Sequence, residues 1–67
     1  MNVTINGDNY EFDNSTLSIQ NIIKKFSLDI DKIAIELNQN VISQSDYNDV
    51  TIKDGDIIEV IAFFGGG

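Results

Sequence analysis

One segment of this chain, and no other, carries the periodicity of an amphipathic helix. Ile19, Ile22, Ile23 and Phe26 follow the i, i+3, i+4, i+7 spacing that lines up a single apolar stripe. Thr16 stands where its side chain can cap the first turn, after Asp13-Asn14-Ser15. Lys24 and Lys25 lie near the far end, where the helix dipole favours cations. The pattern predicts a helix of about ten residues. A lone short helix must bury its stripe against sheet, so the rest of the chain has to supply strands.

It does so in a readable order. Val3 and Ile5 alternate with polar residues, and Tyr10 and Phe12 resume the alternation after Asn6-Gly7, a dipeptide suited to a type I′ hairpin turn. Asp29 to Asp31 reads as a loop, Lys32 to Leu37 as a third strand, Asn38-Gln39-Asn40 as a tight turn and Val41-Ile42 as a short fourth strand. Ser43 to Asp49 is polar and irregular, with Tyr47 and Val50 as anchors to the core. Lys53-Asp54-Gly55-Asp56 is a turn, and Ile57 to Phe64, the most apolar stretch, reads as the last strand.

The order ββαβ(β)β predicts an α+β, ubiquitin-like β-grasp fold: a mixed four- to five-stranded sheet with one helix packed on one face. In that fold the first and last strands pair in parallel at the sheet centre. This accounts for a closing strand that is nearly all apolar and still carries Glu59. Residues 1–64 are expected to form the domain and 65–67 a flexible glycine tail.

Composition limits what such a body can do. Its 67 residues fit one domain, and 42% apolar content is enough for a core, with an expected net stability of ~3–5 kcal/mol at this length. The chain has no cysteine and no histidine, which removes disulfides, thiol nucleophiles, Cys/His metal sites and the usual general base near neutral pH. No catalytic residue and no metal site is therefore expected. Four lysines against eleven acids give a net charge of −7, which disfavours nucleic acid and leaves an acidic surface that is either simply solvated or docks on a basic partner. The N-terminus is polar from Asn2 onward and no apolar run approaches the ~20 residues of a bilayer span, so a cytoplasmic protein is expected.

The remaining feature is Gly65-Gly66-Gly67, placed directly after the strongest strand signal. An arm of glycines is mobile and slender, and fully extended it reaches roughly 10 Å, about the depth needed to bring a terminal carboxylate into another protein's active site. The plain alternative is a frayed end. A carboxylate is inert to nucleophiles, so a chemical role for Gly67 needs activation, most simply as a mixed anhydride with AMP made from ATP and magnesium by a partner enzyme. Phe63 and Phe64 adjoin the arm, and the outward ring of the two, with Ile61 or Ile57, is a candidate docking patch; packing of both rings into the body is the alternative. Asp54 and Asp56 flank Gly55 and read as turn residues, not as a cation site. The pairs Asp29/Asp31 and Asp46/Asp49 read as solvated loop charge.

These pieces in this order resemble the ThiS sulfur carriers of thiamin thiazole biosynthesis, within the ubiquitin-like β-grasp group. The resemblance runs over nearly the whole chain: Asn6-Gly7 after the first strand, Thr16-Leu17 at the helix, Ile35-Glu36-Leu37-Asn38, Ser45-Asp46-Tyr47, Lys53-Asp54-Gly55-Asp56, and Glu59 through Gly67 as closing strand and tail. Gln39 departs from it, standing where a turn glycine is usual, and Ile42 and Gln44 replace a common proline and basic residue. The resemblance implies a carrier that is a substrate, not an enzyme. An E1-like activating enzyme of the ThiF type would adenylate Gly67, a cysteine desulfurase would supply sulfur as a persulfide, and the resulting thiocarboxylate would serve a ThiG-type thiazole synthase. The alternatives are a carrier like the small subunit of molybdopterin synthase, a ubiquitin-like protein modifier, and a plain interaction module.

Overall fold

A computed structural model describes residues 1–63. In chain order the elements are β1 (Asn2–Ile5), β2 (Asp8–Glu11), β3 (Leu17–Ser18), α1 (Ile19–Lys25), β4 (Ile33–Leu37), β5 (Asn40–Ile42), β6 (Thr51–Ile52) and β7 (Ile57–Ala62), with 3-10 turns at Ile30–Lys32 and Gln44–Asp46.

Two tight turns set the antiparallel pairs. Asn6 and Gly7 have φ of 50° and 85°, the positive values both central residues of a type I′ turn require, and they bring Val3 opposite Tyr10. Asn38 and Gln39 repeat the device at φ 50° and 72° and bring Leu37 opposite Asn40. Asn40 therefore begins β5 instead of finishing the turn. Between the hairpins β7 pairs parallel with β1, Ile5 beside Ile58, and antiparallel with β4, Ile35 beside Val60. The sheet order is β2-β1-β7-β4-β5, the mixed β-grasp sheet with the first and last strands at its centre.

The helix differs from its predicted form. It is seven residues long and is capped by Ser18, not Thr16. The Ser18 Oγ accepts from the Asn21 N–H at 3.1 Å while the Asn21 Oδ1 accepts from the Ser18 N–H at 2.9 Å, a reciprocal capping box. Leu17 and Ser18 cannot join the helix because their backbone pairs with Ile52 and Thr51, a ladder that sequence periodicity did not reveal. The next free donors go to the same region, from Ile19 to the Val50 carbonyl and from Gln20 to that of Tyr47. At the other end Ser27 turns left-handed at φ 52°. The Leu28 N–H then reaches the Ile23 carbonyl and the Ser27 N–H that of Lys24, the paired bonds of a Schellman stop. Phe26, predicted in the buried stripe, is consequently the C-cap and exposed, with its ring edge-on to Tyr10 at 5.2 Å.

The core lies between α1 and one face of the sheet: Val3, Ile5, Leu17, Ile19, Ile22, Ile23, Ile35, Ile52 and Ile58, closed by Tyr47, with Val50 half-buried beside it. Two strand limits also move. Lys32 falls in a 3-10 turn entered through Asp29, whose Oδ1 accepts from the Asp31 N–H at 3.0 Å. β7 ends at Ala62, and Phe63 lies beyond it with its N–H on the Lys32 carbonyl at 2.8 Å. Among the described residues no helix is long and apolar enough to cross a membrane.

Candidate functional site

The site begins with how β7 is held, because β7 leads to the chain end. The β1–β7 pairing registers only Thr4 with Ile57 and Ile5 with Ile58, with backbone bonds from Thr4 to the Asp56 carbonyl and from Asn6 to that of Ile58, each 3.0 Å. Beyond that point a side chain continues what the backbone cannot. The Asn6 Oδ1 accepts from the Val60 N–H at 2.7 Å and its Nδ2 donates to the Val60 carbonyl at 3.3 Å. At the opposite end Asn38 does the equivalent. Its Oδ1 accepts from the Ile57 N–H at 2.9 Å, its own N–H donates to the Ile57 carbonyl at 2.8 Å, and its Nδ2 donates to Asp56 Oδ1 at 3.0 Å. Both asparagines can do this because their left-handed backbone, which Asn tolerates better than most residues, turns the amide back across the strand.

Held this way, β7 presents alternate residues to opposite sides. Ile58 is fully buried under the helix, with Val60 half-buried in the same phase. On the other side stand Ile57 at 50% and Ile61 at 42% exposure with Glu59 between them, and past the strand end Phe63 is 57% exposed. The ladder places Ala34 beside Ile61 and Glu36 beside Glu59, and Val41 in turn beside Glu36. Val41, 72% exposed, completes an apolar face that no element of the described chain covers. A concavity of about 210 Å³ opens on the helix side between Ile5, Asn6, Asp8, Tyr10, Phe26, Leu28 and Val60. It exists because α1, at ~1.5 Å per residue, is too short to cover the hairpin end of the sheet.

Of the residues predicted from sequence, the structure places Ile57 and Ile61 on the outward side of β7 and leaves Phe63 exposed past the strand end. Phe64 and the tail residues Gly65, Gly66 and Gly67 lie outside the described residues. Val41, Ala34 and Glu36 were not foreseen. The alternation of Ile42 and Val41 could have flagged Val41, but only the cross-strand register tells which outward residues are neighbours. The Asp56 Oδ2 closes the turn by accepting from the Lys53 N–H at 2.7 Å, and the Asp54 Oδ1 ties the turn to the start of β1 by accepting from the Asn2 N–H at 2.7 Å.

The ThiS family model matches residues 3–67. The sulfur carrier protein ThiS of Bacillus subtilis is 30% identical over 63 residues, covering 94% of this chain and 96% of that protein. A thiazole synthase of Paramagnetospirillum magneticum is 33% identical over 67 residues, all of this chain but only 20% of that protein, so the chain spans about a fifth of that relative's length. Among solved structures, the crystal structure of the thiamine biosynthesis protein ThiS from Geobacter metallireducens superposes with a TM-score of 0.88 at 30% identity, covering all of both chains.

Proposed function

The chain belongs to the ThiS family, and from that premise we propose that it is a sulfur carrier of thiamin biosynthesis whose working group is the Gly67 carboxylate. The observation that carries this reading is the extent of the family match, which takes in body and terminal glycines alike. Residues 1–64 act as the handle and residues 65–67 as the arm.

The chemistry follows from what a carboxylate needs. A ThiF-type E1-like enzyme binds ATP and magnesium; a Gly67 oxygen attacks the α-phosphorus and pyrophosphate leaves. The terminal sulfur of a persulfide derived from a cysteine desulfurase then attacks the acyl carbon and AMP leaves. A second thiol cleaves the acyl disulfide, becoming a disulfide itself and leaving the thiocarboxylate. A ThiG-type thiazole synthase accepts that sulfur, a partner favoured by the thiazole synthase that contains a segment similar to this entire chain. This chain supplies no catalytic side chain and binds no metal or nucleotide; with no cysteine in it, no side-chain thiol competes for the sulfur. The setting is the cytoplasm, where ATP is at hand. Ile57, Ile61 and Phe63 form the patch against which partner enzymes rest while they work on the arm.

Adenylation is reversible, which gives a direct test. Incubated with a ThiF-type enzyme, ATP and labelled pyrophosphate, the full chain is expected to drive label into ATP, and a chain lacking Gly66 and Gly67 is not. Equal exchange with both chains would refute the assignment of the reacting group.

A further inference from the structure

Two carboxylates stand directly opposite each other on the exposed face: Glu36 pairs with Glu59 across the β4–β7 ladder. Cross-strand neighbours have Cβ atoms about 5 Å apart, and like charges there are destabilising. No cation relieves them among the described residues, where the single ion pair joins Lys32 and Asp29 at 4.0 Å. What surrounds them is apolar. Ile57 and Ile61 lie two residues either side of Glu59, Ala34 lies beside Ile61, and Val41 beside Glu36. Folding alone gains nothing from an unrelieved repulsion ringed by exposed branched side chains.

We propose that this face docks a partner protein presenting a flat apolar patch with an arginine or lysine at its centre, the cation entering between Glu36 and Glu59. The proposal rests on the carrier reading and specifies the partner surface: the activating enzyme holds the body here. Charge complementarity selects this occupant. A guanidinium can bond both carboxylates at once, and Ile57, Ile61, Ala34 and Val41 seal the contact from water, where the attraction strengthens. A second copy of this chain would bring the same two carboxylates to the interface, and an anionic lipid surface would be repelled by the net charge of −7.

The test is Glu59→Lys, which places a cation opposite Glu36. Thermal stability is expected to rise, because repulsion becomes attraction, while affinity for a ThiF-type enzyme falls at least tenfold by calorimetry in low salt. The milder Glu36→Gln/Glu59→Gln pair should weaken binding several-fold, with the gap to the unaltered chain narrowing as salt shortens the Debye length from about 10 Å at 0.1 M. If Glu59→Lys binds as tightly as the unaltered chain, this proposal falls and the carrier reading stands. If the unaltered chain neither binds the enzyme nor supports pyrophosphate exchange, the carrier reading falls and takes the proposal with it. A concentration-dependent dimer of the chain alone, dissolved by Val41→Asp, would give the face to a second copy and overturn the proposal.

Discussion

Ile58 and its neighbours Ile57 and Ile61 are the same residue type on one strand, yet Ile58 is fully buried under the helix and the other two are about half exposed. Hydropathy cannot separate them; strand alternation does. The contrast sorts a single apolar run into two jobs. The inward residues hold a small body together, and the outward ones contribute little to folding and remain available to a partner.

The largest expected effect tests the inward half. Ile58→Ala removes buried methyl groups and leaves a cavity, which should cost about 2–5 kcal/mol in urea unfolding, comparable with the ~3–5 kcal/mol expected for the whole domain. Unfolding at ambient temperature is the anticipated outcome, and a loss under 1 kcal/mol would break the comparison from that side. Next comes the outward half. Ile61→Asp should change stability by no more than ~0.5 kcal/mol while costing about 2 kcal/mol in affinity for a ThiF-type enzyme, as a central interface residue does. A variant that unfolds instead would mean the outer face is core after all.

Smaller effects probe how the two faces are kept apart. Asn6→Gly preserves the left-handed turn but deletes the amide that brackets Val60, with an expected loss of about 1 kcal/mol and faster hydrogen exchange at the Val60 N–H. Loss of exchange protection confined to the turn would contradict the clamp. Smallest, and opposite in sign, Gln39→Gly relieves a left-handed, exposed glutamine. A gain of up to ~1 kcal/mol is expected, with partner affinity unchanged.

Much of this was legible because local chemistry decided it. Asn6-Gly7 and Lys53-Asp54-Gly55-Asp56 dictate their turns, and the run from Ile57 announces a central strand. The helix start was misread for a non-local reason: Thr16 and Ser18 both suit a cap, and the choice is made by Leu17 and Ser18 pairing with Ile52 and Thr51, residues distant in sequence. The same limit applied to the site. Ile57 and Ile61 could be named from one strand's alternation, which left Phe63 and Phe64 undivided, whereas the Glu36–Glu59 pairing and the place of Val41 depend on register between strands, which no single segment encodes.

A body that carries sulfur at its end must accept it on the Gly67 carboxylate. Intact-mass spectrometry of the chain, after incubation with a ThiF-type enzyme, ATP, magnesium and a persulfide donor, measures that directly. The predicted product is heavier by the difference between one sulfur and one oxygen, with fragmentation placing the change on Gly67. An unchanged mass under conditions where the Bacillus subtilis relative is converted, or a ladder of conjugates to other proteins in its place, would contradict it.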